Sequence, residues 1–502
     1  MKKILINENP WQIRIAITAD GELQNVYFTG HTENPLERAF FKGIVTKVLP
    51  GIQTAFVDIG QEKAGFLHIS EIDHDLAIQK ISKHSQLDDD EAPAPPRISR
   101  QQLDISKIFK EGDHILVQVS KEPVYEKGAK LSTCFTLPGR FIVLMPNIPR
   151  IGVSKKIDDR EERQRLKKIV KQNLPEGMGA IIRTTSDGRQ EHEIAKDISF
   201  LLETWQHIQD KFKQAKPKEK IYQDIELPLQ IVRDHLDDDV AEVITDNKES
   251  LNKIYKFVKS IAPEYSQRIK LYSGPSPLFE FFGIEKQIEA ALEKKVPLKS
   301  GGSLIIETTE AMTVVDVNTG KFTGKKNLEE TILATNLEAA QEVVRQLRLR
   351  NIGGLIVIDF IDMASGANKQ KVFRFFEKNL KERDKFQSVV LKISEFGLVQ
   401  MTRKRSGITL LQQMMQKCFC CKGLGYVKST ETECHLILRQ LQEKLKESSQ
   451  KEITIRVNQD IFDHLTSIEY NAILTLEKIY KCKITLVNDK SLSVHHYKIE
   501  NK

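Results

Sequence analysis

Between Gly301 and Met363, the segments Ala311-Met-Thr-Val-Val-Asp-Val317 and Leu355-Ile-Val-Ile-Asp-Phe-Ile361 are two apolar runs of strand length. Each carries one carboxylate among hydrophobes, and a lone buried Asp is costly to ionise. Asp316 and Asp359 therefore point to a shared partner, for which a divalent cation is the natural choice. Between the runs, Leu333, Leu337, Ala340, Val344 and Leu347 recur at spacings of three and four, which predicts a helix with one buried face. Asn327 and Glu330 form a capping box at its start, and Gly353-Gly354 ends it. Strand, helix and strand in this order make a βαβ crossover that lays the second strand beside the first.

In that arrangement both aspartates lie near the carboxyl ends of neighbouring strands, with Asn318 on the face of Asp316 and Asp362 on the face opposite Asp359. Two carboxylates and waters suit one magnesium ion, which would polarise a phosphoryl oxygen and generate hydroxide near neutral pH. The same letters also allow both aspartates to face solvent, or to pair with Arg345 or Arg348.

Working outward, Lys3 to Asn7, Gln12 to Ile17 and Leu23 to Phe28 alternate between turn signals and predict a β-meander. It is too small to stand alone and requires strands from later in the chain. Phe41 to Ile69 and His114 to Val119 predict five short strands of an OB-type barrel, interrupted by the acidic, proline-rich insert Asp88 to Pro96. On such a barrel Phe56 and Phe66 offer rings for stacking single-stranded bases and Lys127 a charge for the backbone; the alternative is that both rings are core. Ser154 to Asn173 predicts a basic helix, and Arg183 and Thr184 end a short apolar strand where they suit a phosphate. Phe200 to Lys218 predicts another helix, Leu227 to Ala262 an acidic helical block that packs on the meander, and Glu285 to Lys295 an amphipathic helix.

At 502 residues the chain is long enough for several domains. Its 40% hydrophobic and 29% charged residues exclude fibrous and wholly disordered classes, and its net charge of +7 is mild for a nucleic-acid binder. No apolar run reaches the roughly 18 residues of a membrane span, and the amino terminus lacks the apolar core of a signal peptide, so a cytoplasmic location is expected. Six cysteines, three of them at Cys418, Cys420 and Cys421, point to metal rather than to a disulfide framework. Cys418 and Cys421 have zinc-ligand spacing, but a closed zinc site needs four ligands. A scattered thiol or His, or an identical pair from a second subunit, would complete it; a redox pair is the rival reading. The tail, with helix Cys434 to Glu447 and strands Glu452 to Val457 and Lys483 to Val487, predicts a small α/β module.

The long run from Gly301 to Met363 resembles the catalytic core of the ribonuclease E/G family, and so do Ala55-Phe-Val-Asp-Ile-Gly60, Val143-Leu-Met-Pro-Asn147, Met401-Thr-Arg-Lys-Arg405 and the cysteine motif. The resemblance covers nearly the whole chain and is nearest to members without a long disordered tail. It implies an α+β multidomain fold: an OB-fold RNA-binding barrel (37–122) inserted in an RNase H-like domain (1–36 and 215–284), a 5′-sensor region (123–214), a DNase I-like catalytic domain (285–409), a zinc link (410–427) and a small C-terminal α/β domain (428–502). It implies magnesium-dependent endonucleolytic cleavage of single-stranded RNA to 5′-monophosphate and 3′-hydroxyl products, in rRNA and tRNA maturation and mRNA decay, with stimulation by a substrate 5′-monophosphate. Asp316 and Asp359 would hold magnesium, supported by Asn318. Phe56, Phe66 and Lys127 would hold RNA, and Gly139, Val143, Arg183 and Thr184 would recognise the 5′-phosphate. Cys418 and Cys421 would share a structural zinc with a second subunit, giving a homodimer or homotetramer, and the resemblance leaves any RNA-decay complex partners unidentified. Around Phe386-Gln387-Ser388 there is no second 5′-pocket arginine, Glu307 replaces a common Asp, and Cys420 adds a thiol inside the zinc motif.

Overall fold

The computed structural model describes residues 1–30, 36–73, 77, 104–123, 128–320, 328–394, 396–447, 452–492 and 496–501. Lys127, the Asn327 cap and the insert Asp88 to Pro96 lie outside the described residues. The chain divides into two units, Met1–Leu411 and Gln412–Lys502.

In the first unit, Lys2–Asn9, Gln12–Ala19 and Glu22–Gly30 form the antiparallel meander that the turn signals predict. Val240–Thr245 runs parallel to Lys2–Asn9, and Ile269–Leu271 parallel to Val240–Thr245, so a later part of the chain completes the sheet. Ile4, Ile6, Ile15 and Ile17 bury one face of it against Val232, Ile254 and Val258. The helix-like segments expected from Leu227 to Ala262 are two helices, Leu227–His235 and Lys248–Ile261, but the strand Val240–Thr245 between them is unexpected. Six residues with Val240, Val243 and Ile244 buried gain their register from pairing with the distant amino-terminal strand on one side and Ile269–Leu271 on the other, a tertiary preference that overrides local pattern.

The next sheet closes. Phe40–Leu49 pairs with Thr54–Asp58 on one side and His114–Lys121 on the other, and Gly65–His68 and Lys130–Ser132 complete a five-stranded barrel around Val45, Val57, Leu67, Val117 and Leu131. The barrel thus runs on to Ser132, beyond the expected border at residue 122, and Lys220–Tyr222 adds a strand outside it. Beyond the barrel, a four-stranded sheet of Leu137–Pro138, Ile142–Met145, Gly179–Ile182 and Ile151–Val153 packs with helices Arg160–Asn173 and Glu191–Gln214. The basic helix starts later than Ser154 because Asp159 caps it, its carboxylate accepting from the Glu161 N–H at 3.0 Å. A reciprocal pairing of Gln190 with Glu193 starts the other helix upstream of the expected Phe200.

The fourth sheet has the order Lys295–Pro297, Ser303–Thr308, Met312–Asn318, Gly354–Asp359, Leu398–Arg403, Ser388–Val390. Helix Leu328–Leu349 makes the crossover between the two central strands, which are parallel as expected. This helix, through Ala339, Ala340, Val343, Val344 and Leu347, and helix Gly366–Arg383, through Val372, Phe376 and Leu380, cover the residues Leu304, Ile306, Val315, Val317, Ile356, Ile358, Val399 and Met401. All of those sheet residues point to one face, because alternate strand positions do. The other face stays open, with Val314 36% and Leu355 41% exposed.

The second unit is a three-stranded sheet in which Glu452–Val457 lies between parallel Lys483–Asn488 and antiparallel Lys498–Asn501. Helices Thr430–Glu447, Gln459–Ser467 and Tyr470–Tyr480 bury Ile437, Leu441, Leu465 and Ile473 with Ile453 and Ile455. Among the described residues no helix is long and apolar enough to cross a membrane.

Candidate active site and RNA-contacting surfaces

Asp316 and Asp359 occupy the open face of the fourth sheet. They are direct partners across the two parallel strands, in a lateral row that reads Ile305, Asp316, Asp359, Leu398. Asn318 lies two residues on, and its Nδ2 donates to Asp316 Oδ2 at 2.8 Å, so the expected orienting contact is formed. The expectation of buried carboxylates is corrected: Asp316 is half-buried and Asp359 exposed, because both helices pack on the opposite face. Pairing with arginine is also absent from this arrangement: Arg345 bonds Glu342 and the Leu23 carbonyl, and Arg348 bonds Asn25.

Asp362 lines the same depression as Asp316, Asn318 and Asp359, since the strand ends at Asp359 and face alternation stops there. It remains exposed. Partial burial, then the negative charges of Asp316 and Asp362, push the Asp359 carboxyl above its ordinary range. A cation would relieve that repulsion. Among the described residues no three His, Cys, Asp or Glu side chains close into a metal cage. The paired carboxylates of Asp316 and Asp359 are hard oxygen donors of the kind that fits magnesium, which is commonly held by one or two protein carboxylates and completed by waters.

On the barrel, Phe56 and Phe66 are cross-strand partners and half-buried, while the core is built from the alternate positions Ala55, Val57 and Leu67. Lys47 stands opposite Phe56 and Lys130 beside Phe66, which makes a lateral row of two rings flanked by two lysines. Lys130 is paired with Glu71 at 2.5 Å, and Lys47 is exposed. Half-open rings next to cations have the chemistry of a single-stranded nucleic-acid platform.

Gly139, Val143, Arg183 and Thr184 come from adjoining parts of the third sheet. Arg183 follows strand Gly179–Ile182 and donates to the Gly139 carbonyl at 2.6 Å and to Asp234 at 2.9 Å. Val143, half-buried, pairs with Pro138 and Ile181, and Thr184 is exposed beside Arg183. The loop is fixed from behind by Asp197, whose carboxylate accepts N–H groups of Arg140, Phe141 and Ile142 at 3.1, 2.9 and 3.2 Å. A side chain at 139 would put its Cβ 2.5 Å from that carboxylate, so glycine is required there. Burial of Asp234 would raise its carboxyl, but Arg183 and Arg233 outweigh it and hold it down to about 2. Asp197 and Asp234 had no sequence signal; each is an ordinary acidic residue on a helix, given its role by tertiary contact.

Cys418 and Cys421 lie in a tight turn closed by the Lys422 N–H to Cys418 carbonyl bond of 2.8 Å, with Lys422 at φ 50° and Gly423 at φ 93°. Cys418 and Cys420 are exposed and Cys421 half-buried. Cys434 and Cys482 are packed into the core of the second unit, where burial pushes the Cys434 thiol up to about 11, so neither suits a metal ligand.

The model of the Ribonuclease E/G family matches residues 136–406, more than half of the chain. The chain belongs to the ribonuclease E/G family. It is an endoribonuclease of that family. An S1 RNA binding domain matches residues 37–133, coinciding with the five-stranded barrel, and an RNase E/G thioredoxin-like domain matches 417–502. Ribonuclease G of Haemophilus influenzae is 38% identical over 472 residues, covering 94% of this chain and 93% of the relative. Ribonuclease G of Escherichia coli is 38% identical over 439 residues, covering 88% and 87%. Ribonuclease E of Escherichia coli is 33% identical over 506 residues, covering 99% of this chain and 46% of that longer relative. The fold is accordingly an S1 barrel, a ribonuclease E/G catalytic region and a thioredoxin-like terminal domain, and RNA binding resides in the barrel.

Proposed function

We propose that this ribonuclease E/G family member hydrolyses single-stranded RNA with magnesium, leaving 5′-monophosphate and 3′-hydroxyl ends. The observation that carries the reading is the in-register pairing of Asp316 with Asp359, with Asn318 bonded to Asp316. Asp316 and Asp359 hold the magnesium ion; when bound, it supplies Lewis acidity toward the phosphoryl oxygen and lowers the pKa of a bound water. Asn318 fixes one oxygen of Asp316 and so orients its carboxylate. The open face of the sheet lets an extended RNA strand lie across the carboxylates. Phe56 and Phe66 stack bases at the barrel, and Lys127 meets the backbone.

The enzyme acts on rRNA and tRNA precursors and on mRNA in the cytoplasm, and Gly139, Val143, Arg183 and Thr184 bind a substrate's 5′-monophosphate to stimulate cleavage. The three antiparallel and two parallel strands of the first sheet support an RNase H-like domain from 1–36 and 215–284, with the barrel running from 37 to 132 and the sensor region following it to 214. The fourth sheet and its helices support a DNase I-like domain at 285–409. In the link at 410–427, Cys418 and Cys421 share zinc with a second copy, and 428–502 forms the small terminal domain. Labelled single-stranded RNA incubated with magnesium or with chelator tests the central reading. Magnesium-dependent fragments bearing 5′-phosphates support it, and cleavage that persists in chelator overturns it.

A further inference from the structure

The fold brings a second cation, Lys385, onto the same residue that holds Arg183, namely Asp234. Lys385 follows helix Gly366–Arg383, and its Nζ lies 3.1 Å from the Asp234 carbonyl oxygen and 3.1 Å from His235 Nε2. The Asp234 carboxylate meanwhile holds Arg183 at 2.9 Å. Arg183 and Lys385 therefore meet the side chain and the backbone of one residue, near the carboxyl end of helix Leu227–His235, where the helix dipole favours positive charge.

The neighbouring anions are already committed. Asp234 also pairs with Arg233 at 3.1 Å, and Asp384 holds Arg403 through two bonds of 2.6 and 3.1 Å. Lys156 adds a further charge, its Nζ donating to the Asp384 carbonyl at 2.7 Å. Lys385 spends its hydrogen bonds on a carbonyl and an imidazole rather than on a carboxylate, and a lysine ammonium has three donors. The residue is exposed. Desolvation of the ammonium, whose tip is tucked against the helix end although the residue as a whole reaches solvent, pulls its pKa down to about 8, with Asp234 opposing and the Arg183 charge adding a smaller repulsion. A terminal phosphate carries close to two negative charges at neutral pH, and it would offset both.

We propose that Lys385 makes a second cationic contact to the 5′-terminal phosphate of the RNA, beside Arg183, and so sets this chain's preference for a 5′-monophosphate end. The inference rests on the 5′-end reading given above. Lysine would act as a point charge without the two-pronged grip of arginine.

The test compares kcat and KM of the full-length enzyme on two RNAs identical except for a 5′-monophosphate or a 5′-hydroxyl. In Lys385→Gln the preference for the monophosphate falls by about tenfold, the loss lying in KM for the monophosphate RNA, as for a lost charged hydrogen bond. Lys385→Arg retains most of the preference. An unchanged ratio in Lys385→Gln while Arg183→Ala loses it overturns the role of Lys385 and leaves the sensor intact. An equal loss on both RNAs also overturns it, since a structural defect does not read the 5′ end. A wild-type enzyme that fails to distinguish the two RNAs overturns the sensor itself, and this inference with it.

Discussion

Asp316 and Asp359 are Cα partners in neighbouring parallel strands, although the helix Leu328–Leu349 lies between them in sequence. Their common face is a matter of register. A slip of one residue would turn either carboxylate into the core packed by Val315 and Ile358, so the buried positions of both strands fix the site. Asn318 shares the face for the same reason and is already bonded to Asp316.

The barrel rings are separable from the barrel's stability. Phe56→Ala or Phe66→Ala is expected to weaken binding of a short single-stranded RNA by roughly 1–3 kcal/mol. Neither ring belongs to the barrel core, so the melting temperature should change little. Fluorescence anisotropy beside thermal melting checks both halves; a collapse in melting temperature would assign the rings to the core.

Acid should destabilise the first unit through His235. Burial, with repulsion from Lys385, pulls its pKa down to about 3, well below the free value of about 6.5. The unfolded chain then binds the proton more tightly, so the contribution is complete above about pH 6.5 and is lost as pH falls toward the folded value. His235→Asn should flatten the fall in melting temperature between about pH 6.5 and pH 4. A parallel pH profile for both proteins would contradict this.

Arg403 and Asp384 form a buried pair, 1% and 2% exposed at the side chains. Arg403→Met leaves the Asp384 charge uncompensated and is expected to cost about 3–5 kcal/mol in chemical denaturation. Because Asp384 precedes Lys385, the same variant should also weaken discrimination of the RNA 5′ end.

Two ligands per chain leave a zinc ion half-coordinated, so Cys418→Ser should release zinc and yield a smaller species by light scattering. Elemental analysis and mass on the same sample decide the matter. An unchanged mass argues against an ion shared between chains.

Much of the fold was legible in local pattern. The spacing of Leu337, Ala340, Val344 and Leu347 located the crossover helix, and the turn signals located the amino-terminal meander. What escaped depended on distant partners. Val240–Thr245 became a strand because Lys2–Asn9 offered it an edge, and Lys130–Ser132 closed the barrel after the chain had left it. The two aspartates were identifiable, but their exposure was not: Val314 and Leu355 are apolar yet lie on the open face, so composition overstated burial there. Asp197, Asp234 and Asp362 acquired their places through tertiary packing and chain reversal, which no short spacing encodes.

The most direct test of the central claim substitutes the paired carboxylates themselves. In Asp316→Asn and in Asp359→Asn, single-stranded RNA should bind with nearly wild-type affinity by anisotropy. Magnesium-dependent cleavage of the same RNA should fall by orders of magnitude. Cleavage at the wild-type rate in either variant would contradict the account.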